Sequence, residues 1–188
     1  MRIIGGQWRG RRFAFPDVPG LRPTIDRVRE TLFNWLAPVI EGARVLDLFA
    51  GSGALGLEAA SRGAAEVVQV DAAREVVERL EAYRRALDTE RIRVVHADAL
   101  AYLAGAARPF DIAFVDPPFA APIIEPVCTQ LEAGGWLVPG ARVYIETEHR
   151  RGAPALPENW ELVRSKRAGR VGYHLAVRHP PGAGERAG

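Results

Sequence analysis

The sequence predicts an α/β fold: a doubly wound, mostly parallel sheet with a terminal antiparallel hairpin, preceded by a small N-terminal β-hairpin extension. Three observations carry this. Short apolar runs alternate with helix-period segments between residues 43 and 147, the pattern of βαβ units. The first run passes through a small-residue loop, Asp47-Leu48-Phe49-Ala50-Gly51-Ser52-Gly53, directly into a helix-forming stretch. The last two extended segments, near 159–167 and 171–178, are separated only by Ala168-Gly169-Arg170, which is hairpin spacing.

A chain of 188 residues with 48% hydrophobic content can bury a sizeable core. No apolar run reaches the length of a membrane span, and the first residues lack a signal-peptide apolar region, so no membrane partner is expected. Cys128 is the only cysteine, which excludes a disulfide within the chain and fits a reducing, cytoplasmic setting. Three regions are expected: a basic hairpin extension over 1–20, the main domain over 21–179, and a Pro/Gly-rich, disordered tail over 180–188. A monomer is expected and no metal site is predicted. The net charge of +2 hides a division. Residues 1–30 carry seven arginines against three acids, residues 31–150 eleven basic against seventeen acidic, and residues 151–188 seven basic against three acidic. An acidic body with basic ends fits a polyanionic partner, and it equally fits arginines that are merely solvated.

Arg2-Ile3-Ile4 and Arg12-Phe13-Ala14-Phe15 read as two extended pieces around a Gly-rich turn. Trp8, read as exposed, is interleaved with Arg9, Arg11 and Arg12. Arginine meets phosphate and an aromatic ring stacks on a base, so this loop suits RNA; the alternative is a tryptophan covering a small core edge. Arg2, Arg22 and, at the terminal hairpin, Lys166, Arg167 and Arg170 complete the candidate RNA-binding set. Pro16 to Pro23 is a linker. Thr24 caps a helix to about Leu36, with Val28, Leu32, Trp35 and Leu36 on one face and Asp26, Arg27, Arg29 and Glu30 on a solvated one. Strand 43–48 leads to helix 54–62, strand 65–70 to helix 72–87, and strand 92–96 to a short helix near 98–104. Strand 110–115 precedes a helix over 122–133 with Pro122 in its first turn, and strand 141–147 follows. A terminal antiparallel hairpin is foreign to the ordinary dinucleotide fold and looks like the class I methyltransferase fold.

Gly51, Gly53 and Gly56 satisfy G-x-G-x-x-G, so the loop alone leaves NAD and other adenosine cofactors open. Its N–H groups are expected to face the ligand. Acids at or just past the four strand ends, Asp47, Asp71, Asp98 and Asp116, are expected along one sheet edge. Asp71, twenty residues after Gly51, can accept from both ribose hydroxyls; Asp98 can receive an adenine amine, with the Ala99 N–H beside the ring. Asp47 precedes the glycines. A carboxylate there repels pyrophosphate but suits the ammonium of S-adenosylmethionine. Each of these acids could instead be a helix cap. The cofactor set is Thr24, Asp47, Phe49, Gly51, Ser52, Gly53, Asp71, Asp98 and Ala99.

Asp116-Pro117-Pro118-Phe119 is the candidate catalytic stretch. Two prolines fix the backbone past the strand and remove two donors, leaving the Asp116 carboxylate and the Pro117 carbonyl as acceptors. Acceptors that hold both protons of an exocyclic NH2 aim its lone pair at a methyl donor, and Phe119 offers a face for a flipped base. The alternative is a plain strand-ending turn. Cys128 falls mid-helix, which argues against C5-pyrimidine methylation.

These motifs resemble the bacterial 16S ribosomal RNA guanine-N2 methyltransferases of the RsmD type. The resemblance covers nearly the whole chain: Met1-Arg2-Ile3-Ile4-Gly5-Gly6 with Trp8-Arg9-Gly10, Leu21-Arg22-Pro23-Thr24, Asp26 to Leu36, Leu46 to Gly56, Ser61-Arg62-Gly63-Ala64, and Asp116 to Phe119. It implies S-adenosylmethionine as cofactor and S-adenosylhomocysteine as product. It also implies N2 methylation of one guanine, position 966 in the usual ribosomal numbering, within a small-subunit assembly particle. It places Arg22-Pro23-Thr24 beside the active site. Where the family often has Glu at the second strand tip and Asn in the next helix, this chain has Asp71 and Tyr83. Three other functions stay open: a DNA adenine-N6 or cytosine-N4 methyltransferase, a nicotinamide oxidoreductase, and a non-catalytic RNA-binding assembly factor. The missing target-recognition domain, Asp47 with the Asp-Pro-Pro-Phe stretch, and the intact Asp116 count against them in turn.

Overall fold

The computed structural model describes residues 1–14, 26–118 and 122–180. The Pro16–Pro23 linker, Arg22, Thr24, Phe119 and the tail from 181 onward therefore lie outside the described residues. The chain divides into two units, Met1–Ala99 and Leu100–Gly188.

The first unit holds α1 (Asp26–Leu36), β1 (Arg44–Asp47), α2 (Ala54–Ser61), β2 (Glu66–Asp71), α3 (Arg74–Ala86) and β3 (Ile92–His96). Its strands run parallel in the order β3-β2-β1, with Leu46 opposite Val68, Asp47 opposite Gln69, and Asp71 opposite His96. Val45, Leu46, Val67 and Val70 are almost wholly buried, as strands covered on both faces must be. Every residue of α2 is buried, so this helix is apolar all round apart from Glu58 and Ser61. Its N-terminus follows Gly53, which adopts the left-handed conformation at φ 78°. A Cβ on Gly56 would sit 2.4 Å from the Gln69 amide, so the third glycine admits that side chain against the helix.

Residues 1–14 form a narrow hairpin rather than two full strands. Arg2 and Arg12 make an isolated antiparallel bridge, and the Ile3 N–H donates to the Arg11 carbonyl at 2.9 Å. The hairpin is bound to α2. The Ile4 and Gly5 N–H groups donate to the two Glu58 carboxylate oxygens at 2.9 and 2.8 Å. The Gln7 N–H donates to the Ser61 carbonyl at 2.7 Å, and the Ser61 hydroxyl donates to the Gly5 carbonyl at 2.6 Å. At its far end Phe13 packs on Tyr83, whose hydroxyl donates to the Ala14 carbonyl.

Two expectations about side chains change. Trp8 is buried, with its backbone N–H donating to Ser61 Oγ at 2.9 Å and its ring covered by the Arg91 guanidinium 5.1 Å away. It covers a core edge, and no base can stack on it in this arrangement. Arg29 is not solvated but buried, held by Asp26 and by the Arg2 carbonyl at 2.9 Å. In α1, Phe33 joins Val28, Leu32 and Leu36 in the core, while Trp35 is half-buried.

Between β3 and the second unit's strands lies the short helix α4 (Ala99–Leu103). The second unit contains β4 (Phe110–Val115), α5 (Ile124–Ala133), β5 (Leu137–Glu148), a 3₁₀ turn (His149–Arg151), β6 (Trp160–Ala168) and β7 (Val171–Arg178). Strand order is β4-β5-β7-β6, with β4 and β5 parallel and β7 antiparallel to both neighbours. The mostly parallel α/β arrangement with antiparallel terminal strands matches the expectation. Pro122 precedes α5 rather than sitting in its first turn. Strand β5 begins earlier than its composition suggests, because the pairing with β4 shifts between Phe110 and Ile112 and takes up Pro139 and Gly140 in an irregularity. Glu132 of α5 ties down the terminal hairpin. It accepts from Arg178 at 2.7 and 2.8 Å, from the Trp160 ring N–H at 2.7 Å and from Asn159 at 3.0 Å. The Arg178 guanidinium, foremost among these, holds its carboxyl down at about 2.

Candidate active site

In the first unit the site is the β1–α2 loop. Asp47 ends β1, is 1% exposed, and has neither carboxylate oxygen in a hydrogen bond of ordinary geometry among the described residues. Burial above all, with the charge of Asp71 adding to it, pushes its carboxyl up to about 7; the Gln69 amide and the Gly56 and Phe49 N–H groups, which face it, pull the other way. A buried carboxylate that no cation meets is costly unless a cationic ligand completes it. Gln69 went unnoticed in the sequence, yet it is fully buried, faces Asp47 from β2 and donates to the Gly53 carbonyl at 3.3 Å.

The loop N–H groups are not all left for a ligand, contrary to expectation. The Gly51 N–H donates to Asp71 Oδ2 at 2.9 Å, the Gly53 N–H to the Ala50 carbonyl at 2.7 Å, and the Ala54 N–H to Ser52 Oγ at 3.3 Å. A phosphate cradle needs those donors free. With a buried carboxylate beside them that no cation meets, the loop suits a ligand with a positive group and no phosphate. S-adenosylmethionine fits these residues; a dinucleotide does not. Asp71 is half-buried, and its second oxygen accepts from the Ala73 N–H at 2.9 Å, so the shorter acid ties the loop to the start of α3. Two lone-pair positions per carboxylate remain after those bonds. Asp98 is exposed, Ala99 buried and Phe49 half-buried. Tyr83, far from this loop in its contacts, serves the hairpin instead.

Since burial raises Asp47, the folded chain keeps a proton that the unfolded chain, at 3.8, has released. The contribution of Asp47 to the stability of the ligand-free protein therefore falls as pH rises from about 4 towards 7. The thermal midpoint of Asp47→Asn should gain on wild type across that window. A constant gap between the two would mean Asp47 does not titrate there.

In the second unit the site is the end of β4. Asp116 is half-buried, Pro117 buried and Pro118 exposed. Both prolines line a cleft of about 250 Å³, together with Glu125 of α5, Glu146 and Thr147 of β5, and Arg151. Glu146 is a second acid the sequence did not single out. It is 5% exposed, lies beside Asp116 across the β4–β5 pairing, and accepts from the Tyr144 hydroxyl at 2.7 Å. Cys128 is buried in α5 and burial pushes its thiol up to about 12, so it supplies no thiolate near neutrality.

The basic candidates form two groups. Arg2, Arg9, Arg11 and Arg12 are exposed on the N-terminal hairpin, where Arg2 pairs with Asp26 at 3.6 Å. Lys166, Arg167 and Arg170 are exposed at the β6–β7 turn.

The strand arrangement, the loop and the Asp-Pro-Pro corner together define a class I methyltransferase. The profile of the family described as "Conserved hypothetical protein 95" matches residues 1–177. Ribosomal RNA small subunit methyltransferase D of Escherichia coli is 52% identical over 97% of this chain and 92% of its own length. The Haemophilus influenzae protein of the same name is 42% identical over 93% of this chain and 92% of its own. A solved Escherichia coli structure, 49% identical, superposes with a TM-score of 0.90 over 95% of this chain and 98% of that one. The chain belongs to the ribosomal RNA small subunit methyltransferase D family.

Proposed function

We propose that the protein transfers a methyl group from S-adenosylmethionine to the exocyclic N2 of one guanine of 16S ribosomal RNA. The observation that carries the chemistry is the Asp116-Pro117-Pro118 corner past β4, whose two prolines line a cleft. The cofactor supplies a methyl group on a sulfonium. Asp47 meets its ammonium, the β1–α2 loop receives its methionyl end, and Asp71 and Asp98 serve ribose and adenine. Asp116 and the Pro117 carbonyl hold the two amine protons, which turns the nitrogen lone pair towards the methyl group. The substrate is read from the relatives' name and from the exposed arginines of the hairpin; the setting is a small-subunit assembly particle in the cytoplasm, and the enzyme acts as a monomer.

The deciding experiment incubates the protein with methyl-labelled S-adenosylmethionine and undermethylated small-subunit particles, with naked 16S RNA and duplex DNA in parallel. Label on N2 of a single guanine is the expected result. Label on adenine N6, on DNA, or nowhere overturns the reading.

Two further outcomes are expected. Asp47→Asn should weaken cofactor binding by roughly 10- to 100-fold, the worth of a hydrogen bond to a charged group. In wild type, affinity should rise with pH up to about 7 and then level, because the ammonium needs the ionised form. Calorimetry showing a pH-independent affinity would remove Asp47 from the contact. Replacing Arg9 and Arg11 with alanine should lower the slope of log affinity for RNA against log salt by about 1.5. An unchanged slope would take the hairpin out of the interface.

A further inference from the structure

Strand register places a second carboxyl beside the proposed amine acceptor. Val115 of β4 is opposite Ile145 of β5, so the next position along brings Asp116 and Glu146 side by side, on the face that Tyr144 shares. Tyr173 of β7 is opposite Glu146 from the other side. Glu146 is buried, its neighbour across the pairing is Asp116, and the Tyr144 hydroxyl donates to its Oε1. Two carboxylates side by side in a buried setting repel strongly when both ionise, and such a pair favours sharing one proton. Burial raises the Glu146 carboxyl, with the Tyr144 and Asp116 hydrogen bonds pulling back. Transfer through Asp116 and the Pro117 carbonyl makes no direct use of Glu146.

We propose that Glu146 is a positioning residue for methyl transfer, holding Asp116 through a carboxyl–carboxylate hydrogen bond so that the pair carries one proton and one negative charge at the cleft. This rests on the reading that Asp116 accepts from the target amine. While the two carboxyls share one proton, one negative charge stays beside the amine, and Asp116 is held towards it and cannot turn away. As the nitrogen lone pair forms the N–C bond, the C–S bond breaks and its electron pair stays on sulfur. One amine proton then passes to Asp116. The pair briefly holds two protons and returns one to water. Tyr144 orients Glu146 from the same strand. Among the described residues, the other titratable or charged groups near the pair are Tyr173 on β7, with Glu125, Glu148 and Arg151 around the cleft.

Three variants test this with methyl transfer to undermethylated particles measured against pH. Wild-type kcat should fall on the alkaline side, where the pair loses its shared proton and the two carboxylates repel. Glu146→Gln keeps a donor for Asp116 and an acceptor for Tyr144 but has no proton to lose. Its neutral kcat should stay within about threefold of wild type, and its alkaline fall should move up by at least about one pH unit. Glu146→Ala should lose about tenfold in kcat with KM for the particle unchanged, as expected for lost orientation. A Gln variant that titrates like wild type, or an Ala variant with wild-type kcat, overturns the proposal. Asp116→Ala separates the two levels. If it retains turnover, the reading of Asp116 fails; if it is inactive while the Glu146 variants match wild type, only the role of Glu146 fails.

Discussion

Asp116→Ala should lower methyl transfer on the order of 10³-fold while cofactor affinity stays within about twofold of wild type. The pair of effects follows from where Asp116 lies. It ends β4 in the second unit, whereas the Asp47 and Asp71 carboxylates and the glycine loop belong to the first. Alanine removes an acceptor for the amine and leaves the Pro117 carbonyl, which can hold one proton but cannot take it. Alanine also leaves Glu146 without its carboxyl partner beside the cleft, so the variant should be checked for an unchanged thermal midpoint. Asp116→Asn gives the sharper comparison. Its amide oxygen still accepts, and its neutral charge cannot receive a proton. If orientation dominates, Asn should recover about tenfold over Ala; if proton removal dominates, the two should match. Turnover by the alanine variant above a few per cent of wild type would remove Asp116 from the mechanism.

How much of this could be read from the sequence depends on how far apart the interacting residues are in the chain. Strands β2, β3 and β4 lie within a residue of their expected positions, because each is an apolar run closed by an acid or a polar turn. Asp47, the glycines and Asp-Pro-Pro were legible for the same reason: each motif is contiguous. Strand β5 was misjudged at its start, since Pro139-Gly140 reads as a break and the fold absorbs it in an irregular pairing. The side chains that complete the site were not legible. Gln69 reaches Asp47 only through strand pairing, and Glu146 reaches Asp116 the same way. Asp71 was legible as a strand-end acid, but its bonds to the Gly51 and Ala73 N–H groups were not. Trp8 was misread for a related reason. Its neighbours in sequence are arginines and glycines, while the groups that bury it, Ser61 and Arg91, are 53 and more residues away.

Gly6→Ala should be the most destabilising change in the N-terminal hairpin, by about 2–4 kcal/mol, or a fall on the order of 10 °C in thermal midpoint. Gly6 has φ 78°, and a Cβ there would stand 1.9 Å from the Ser61 carbonyl oxygen, which is backbone of α2 and cannot swing aside. The hairpin must lift, and lifting it breaks the Gln7 N–H bond to that same carbonyl and strains the Ile4 and Gly5 N–H bonds to Glu58. Glu58 is fully buried, with Arg62 Nε on Oε1 at 2.9 Å, so losing its backbone donors leaves a buried charge with one partner. This explains why Ile4-Gly5-Gly6 and Ser61-Arg62 occur together in the resemblance: they are two halves of one contact. Gly10→Ala is the control. Its φ is 84°, but a Cβ there meets nothing within 4 Å, so only the backbone term of about 1 kcal/mol applies. If the two variants melt together, the close approach of Gly6 to α2 is not what holds the hairpin. If Gly6→Ala melts well below Gly10→Ala and also binds RNA more weakly, α2 sets both the stability of the hairpin and the placement of Arg9, Arg11 and Arg12.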